Sequence, residues 1–447
     1  MNEFNRKYAI EGLSSTEEDK LNFMINNMED NKAFIELIKK DNFSDTNKSK
    51  LLKIFQDNYI SYRKNWREFP KSAINNKLYG EALRKIKSFP LCIDIELAAV
   101  CDLACPHCYR QTIATPDKIM TKDLAFSMVD QAVELGTPSI KFNWRGEPLL
   151  HPQIAEIISY AKSKGILETI INTNATKLDE KLSKKLIDSG LDLMIYSFDG
   201  GTKKTYEFMR PGRFTKNTYD DVYSNIVKFA QYKNQLNSKF PRTKIQMVLT
   251  HDTLNEVKSY YESFKDIVDD VSVKQYTERG GKLKDFDKKE KDKIIDYLEN
   301  NNINEEPELM RSIDGTVSIS RGRLPCEQPY QRLLVTYDGR VSMCCYDWGS
   351  MHTIGYTDKR ALEVGDKDYQ DVISSSQKKK KGFEMMKLKM PFKFNVPEQK
   401  VSTLSDIWYG HEIDKVRKKQ NENNLEGIKI CKKCPFKETY KWEKIEI

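Results

Sequence analysis

The 447-residue chain carries 74 Lys and Arg against 66 Asp and Glu, a formal net charge of +8, with 39% hydrophobic and 31% charged residues. This is a globular composition, long enough for two or three domains. It contains no apolar run of transmembrane length, and the polar, mixed-charge stretch Met1 to Leu21 does not read as a signal peptide. The expected location is therefore cytoplasmic. Lysines are scattered, with one dense run from Lys378 to Lys381, and predict a solvated basic surface with no nucleic-acid or membrane partner.

Residues 1–88 read as a helical N-terminal extension. Ser15 with Glu18 forms a capping-box signature, followed by Leu21, Met24, Ile25, Met28, Phe34, Ile35 and Ile38 at helical spacing. A second helix carries Leu51 to Trp66, and Pro70 is expected to close it. The extension reads as a packing element or lid, or else as a partner-binding module. From Leu91 onward strands and helices alternate. Strands are expected at Cys92 to Leu97, Ser139 to Trp144, Leu167 to Asn172, Leu191 to Phe198, Lys244 to Leu249 and Val271 to Tyr276, with helices between them. Six such units predict an α/β fold, a partial (β/α)6 TIM-like barrel over 89–305, with active groups at the C-terminal strand ends. The remainder, 306–447, reads as a small α+β domain. Asp338-Gly339 between two apolar stretches signals a hairpin. A charged insertion follows at about 358–400, and then an amphipathic helix from Thr403 to Lys418.

The nine cysteines are odd in number and tightly spaced, which reads as metal ligation rather than disulfides. Cys101, Cys105 and Cys108 directly follow the first expected strand. Three thiolates on one loop can hold three irons of a 4Fe–4S cluster and leave the fourth iron open to an outside ligand. A zinc knuckle using His107 is the alternative. Cys92 alternates with strand residues and reads as core. Lys141 and Asn143, Gln246, and Lys274 or Tyr276 sit on strands in phases that allow them to face the barrel interior, as substrate contacts, as contacts to a cofactor or as packing.

The loop Cys101/Cys105/Cys108 with Tyr109 resembles the signature of radical S-adenosylmethionine (radical SAM) enzymes, and the resemblance extends over roughly 91–280. Arg145-Gly146-Glu147-Pro148 resembles the family's Gly-Gly-Glu-Pro element, with Arg145 in place of the first glycine. Asn172-Thr173-Asn174 resembles the ribose-side element, and Ser197 and Arg210 resemble the family's cofactor-contacting Ser and Arg. The resemblance implies cofactor contacts at Tyr109, Gly146, Glu147, Asn172, Ser197 and Arg210. Cys326, Gly339 and Cys344, then Cys431 and Cys434, resemble a shortened SPASM domain of the kind called twitch. That implies a second 4Fe–4S cluster on Cys326, Cys344, Cys431 and Cys434, with a four-cysteine zinc site as the alternative.

Such a protein is expected to cleave S-adenosylmethionine reductively to a 5′-deoxyadenosyl radical. The radical would take a hydrogen atom from a small polar substrate, a sugar or aminocyclitol, for net dehydrogenation or epimerisation. Radical modification of a peptide or protein side chain is the alternative. A flavodoxin or ferredoxin is the expected electron donor. Cys345 is the leftover cysteine: a buried thiol, an alternative ligand, or a catalytic hydrogen-atom donor.

Overall fold

The strand Cys92–Ile95 (β1) lies inside the sheet rather than at its edge, and both halves of the chain build onto it. The computed structural model describes residues 15–40, 43–111, 113, 115–277, 285–303, 307–363, 400–432 and 434–446. Among these, β1 is followed by Ser139–Lys141 (β2), Glu168–Thr173 (β3), Leu193–Ser197 (β4), Arg242–Leu249 (β5) and Asp270–Gln275 (β6), all parallel and in chain order. This is the expected partial barrel. Alternate strand residues point to opposite faces. Ile93, Ile95, Ile140, Ile171, Met194, Ile245 and Met247 pack outward against the helices Lys122–Leu135 and Ile154–Ser163 and their successors, in one buried cluster. Asp94, Lys141, Asn172, Ser197 and Gln246 face inward.

The C-terminal part does not stand apart from this sheet. Arg332–Val335 (β9) pairs in parallel with β1, placing Cys92 opposite Arg332 and Ile95 opposite Val335. Arg340–Ser342 (β10) forms the predicted hairpin with it, and Thr353–Tyr356 (β11) adds an outer strand, so that nine described strands share one sheet. A separate three-stranded sheet joins Leu309–Arg311 (β7), Val317–Arg323 (β8) and Tyr440–Ile445 (β12). The sequence reading contained none of β7, β8, β11 or β12.

The N-terminal helices cap the base of the barrel, where the strands begin. Tyr59 and Tyr62 donate to the Glu168 carboxylate at 2.9 and 3.0 Å, Asn31 Nδ2 to Asp192 Oδ1 at 2.8 Å, and the Ser15 amide to Asp270 Oδ1 at 2.8 Å. Four sequence expectations are corrected. The capping box is Thr16 with Asp19, one residue beyond Ser15 and Glu18. Pro70 lies inside the 31-residue helix Asp45–Asn75. It cannot donate to the Trp66 carbonyl one turn back; Gln331 Nε2 does so instead, at 2.9 Å. The amphipathic stretch Thr403 to Lys418 is two helices, Leu404–Trp408 and His411–Asn421, parted at Gly410. The second strand is shorter than expected and ends at Lys141. Residues 364–399 of the charged insertion, with Lys378 to Lys381, lie outside the described residues, as do 1–14.

Candidate functional site

A cavity of about 950 Å³ fills the barrel and reaches the C-terminal strand ends. Cys101, Cys105 and Cys108 lie on its wall, on the loop that leaves β1. Two donors approach the sulfurs: Arg210 Nη1 is 3.9 Å from Cys105 Sγ, and Asn174 Nδ2 is 4.0 Å from Cys101 Sγ. Burial pushes the Cys105 thiol up to about 12 and raises Cys101 as well. His107 Nε2 lies 3.4 Å from Asp199 Oδ2. Asp199 is fully buried and also holds Arg210 at 2.6 Å, so Arg210 is fixed from behind.

The Gly146-Glu147 turn after β2 packs directly on the β1 loop. A Cβ on Gly146 would lie 2.3 Å from the carbonyl oxygens of both Ala98 and Val100, so only glycine fits. Glu147 accepts from the Asn174 amide and Thr173 Oγ1, each at 2.7 Å, and from the Leu149 amide at 3.0 Å. Burial nevertheless raises its carboxyl to about 7. Arg145 forms a fully buried pair with Glu96, Nε to Oε1 at 2.7 Å and Nη2 to Oε2 at 2.6 Å. Asn172 Oδ1 is buried with no hydrogen-bond partner among the described residues, and its side chain lines the cavity, as does Ser197. Tyr109 is not part of the wall. Its ring lies against Trp348, 5.1 Å between centroids, and Trp348 is part of the wall.

Lys141, Asn143, Gln246, Lys274 and Tyr276 all reach the cavity. Sequence reasoning missed Asp94, Trp144, Arg332 and Trp348. The inward phase of Asp94 on β1 was the available signal; Arg332 and Trp348 come from the C-terminal part, whose pairing with β1 no local pattern announced.

The other four cysteines, Cys326, Cys344, Cys431 and Cys434, converge on a second, small cavity. All four are buried, and burial raises each thiol, Cys431 to about 12. Cys344 and Cys345 follow β10 and face opposite ways: Cys344 faces the four-cysteine cavity and Cys345 the barrel cavity. Trp144 Nε1 holds the Cys345 carbonyl at 2.9 Å, and Cys345 Sγ lies 3.8 Å from Gln328 Oε1. The buried Asp347 shapes this loop by accepting from Ser342 Oγ and the Met351 and His352 amides. The all-sulfur donors of both cysteine sets fit iron–sulfur clusters.

Known protein families match the stretches that carry the two cysteine sets. The radical SAM superfamily profile matches residues 95–264, and the SPASM iron–sulfur cluster-binding profile matches residues 326–435. The chain thus carries a radical SAM domain followed by a C-terminal SPASM domain. It is similar to the AdoMet-dependent heme synthase of Methanosarcina barkeri, 29% identical over 162 residues, which are 36% of this chain and 45% of that protein. It is also similar to a probable GTP 3′,8-cyclase of Methanococcus maripaludis, 37% identical over 117 residues, which are 26% of this chain and 37% of the relative. The matched stretches thus span under half of these relatives. Among solved structures, Streptococcus suis SuiB bound to S-adenosylmethionine aligns over 79% of this chain and 78% of its own, with 19% identity and a TM-score of 0.45. Among the described residues no helix is long and apolar enough to cross a membrane.

Proposed function

We propose that the chain is a radical SAM enzyme that takes a hydrogen atom from a small polar substrate, a sugar or aminocyclitol, held inside the barrel, with net dehydrogenation as the outcome. The observation that carries this reading is a single cavity that has the Cys101/Cys105/Cys108 loop on its wall and, through Cys345, adjoins the four-cysteine site. The N-terminal helices cover its base, which favours a small molecule over a threaded peptide. The clusters and S-adenosylmethionine, when bound, supply the electron and the hydrogen-atom abstraction.

The protein's part is to hold and orient. Cys101, Cys105 and Cys108 would ligate the first cluster. Gly146 and Glu147 would receive the methionine end of the cofactor, and Asn172 and Ser197 would offer polar contacts along it. Arg210 would set the charge at the Cys105 sulfur. Cys326, Cys344, Cys431 and Cys434 would hold the second cluster, with a flavodoxin or ferredoxin as the outside electron donor. We take residues 1–88, 89–305 and 306–447 as the functional divisions of the chain.

The exposure of Cys345 to the cavity favours epimerisation as a second reading. Its S–H would return a hydrogen atom to the substrate carbon, and the sulfur would then need one electron and one proton to be restored. Solvent deuterium in the product of the wild type, absent with Cys345→Ala, would mark that course; its absence from both leaves dehydrogenation.

The test of the main reading is anaerobic reconstitution. About eight irons are expected, together with 5′-deoxyadenosine formation under reduction that Cys105→Ala abolishes. A reconstituted wild type that forms no 5′-deoxyadenosine would overturn the reading. Four irons plus one zinc would remove the electron acceptor that dehydrogenation requires.

A further inference from the structure

Five cationic side chains in and around the barrel are matched to carboxylates. Lys162 pairs with Asp192 at 2.7 Å, Arg145 with Glu96 at 2.6 Å, Arg210 with Asp199 at 2.6 Å, Arg332 with Asp94 at 3.0 Å and Lys244 with Asp270 at 3.3 Å. This is what physical chemistry demands of charges withdrawn from water. Lys141 is different. It is half-buried on β2, lines the cavity, and makes no hydrogen bond or ion pair with any described residue. Its neighbour in register, Asp94, is the natural partner, but that carboxylate is held by Arg332. Two side-chain amides share the situation. Asn143, two residues further along the same strand line, and Gln246 on β5 both reach the cavity without a hydrogen-bond partner among the described residues. One ammonium and two amides, carried by β2 and by β5 with β3 and β4 between them, thus line the same cavity, each with hydrogen-bonding capacity left over.

We propose that Lys141 anchors an anionic group of the substrate, a carboxylate or a phosphate, with Asn143 and Gln246 contacting polar groups beside it. This rests on the radical SAM reading of the cavity and narrows it to an acidic small molecule. The depth is set by the strand. Lys141 lies two residues, roughly 6.6 Å at about 3.3 Å per residue, below Asn143, and Gly146 and Glu147 follow above. The anion therefore sits one side-chain repeat deeper than Asn143, below the Gly146-Glu147 turn. The substrate's opposite end is left facing the Cys101/Cys105/Cys108 loop.

The test measures binding, so it is independent of turnover. The anaerobically reconstituted full chain is titrated calorimetrically with inorganic phosphate and, separately, with succinate, for the wild type, Lys141→Met and Lys141→Arg. Saturable binding of one of the two is expected, weakened at least tenfold by Lys141→Met and kept within about threefold by Lys141→Arg. Which probe binds distinguishes phosphate from carboxylate. In parallel, acetylation of wild-type lysines is followed by mass spectrometry. The bound anion should slow modification of Lys141 at least threefold while the exposed Lys53 is unaffected, a readout that does not require any variant to fold. Binding of neither anion, an affinity unchanged in a folded Lys141→Met protein, or no protection of Lys141 would overturn the proposal. If Lys141-dependent binding is seen but 5′-deoxyadenosine is never formed, the enzymatic reading fails while the anion site stands; the reverse result separates them the other way.

Discussion

Arg145 stands where the resemblance expects a glycine, and Glu96 is what makes it acceptable there. The pair is fully buried and doubly hydrogen-bonded. Removing one member leaves an uncompensated buried charge, a loss of about 3–5 kcal/mol. Arg145→Met should lose that much in urea melts, and adding Glu96→Gln should restore a good part of it. If the double variant is as unstable as the two losses summed, the pair is not acting as a unit. Glu147 makes a second prediction. Its carboxyl is raised by burial from 4.5 to about 7, so the fold favours the neutral acid. That contribution is complete below about pH 4.5 and is lost as pH rises through 7, a difference of about 2–3 kcal/mol between pH 5 and 8. The cluster-free wild type should lose that much more stability over this range than Glu147→Gln. Parallel pH profiles for the two would show that Glu147 is not the group responsible. The residues that line the cavity at the strand ends were legible in the sequence because they cluster locally: the three-cysteine loop, Gly146-Glu147 and Asn172 each stand out within a few residues. Glu96, Asp94 and Arg332 were not, because a buried charge is recognisable only together with a partner from a distant part of the chain.

The helix Asp45–Asn75 shows how an element can override a local rule. Proline in a helix interior costs about 3 kcal/mol, yet the helix continues past Pro70. Phe55, Tyr59, Tyr62 and Ala73 bury one face, and Gln331 supplies the hydrogen bond that Pro70 cannot. The two effects should be coupled. Gln331→Ala is expected to cost about 1 kcal/mol with Pro70 present and distinctly less in a Pro70→Ala background, where the restored amide can reach the Trp66 carbonyl. Equal costs in both backgrounds, measured by a double-mutant cycle, would detach Gln331 from the proline. The boundary expected at Pro70 failed because a breaker residue reports a local preference, whereas the compensating donor lies 261 positions away in the chain. The barrel strands were read correctly because a two-sided, mostly buried parallel sheet imposes its pattern on each segment separately. Strands β7, β8 and β12 are short or exposed on one face and leave a weaker trace.

At the scale of the molecule, the apolar cluster that holds β1 to β6 also contains Leu333, Val335, Trp408 and Ile413 from the C-terminal part. Barrel and C-terminal part therefore share one core and one sheet, and they should unfold together. A single transition is expected by calorimetry and by far-ultraviolet circular dichroism, coincident in both. A fragment ending at residue 305 should expose the bare edge of β1 and aggregate. Two resolved transitions, or a soluble, monomeric 89–305 fragment, would contradict this.

The pairing of β1 with β9 also sets a clock. β1 leaves the ribosome about 240 residues before the strand that covers its flank. At synthesis rates of about 5–20 residues per second, that interval is roughly 12 to 48 seconds. During it the three-cysteine loop hangs from a half-covered strand, its thiols open to metal donors and to oxidation. The final shape of the cavity, with Cys345 and Trp348 in its wall, is reached only after nearly the whole chain has been made. Loading of the first cluster thus has a natural window before the C-terminal strands dock, and slowing translation between β6 and β9 should widen it, measurable as a change in iron content per chain.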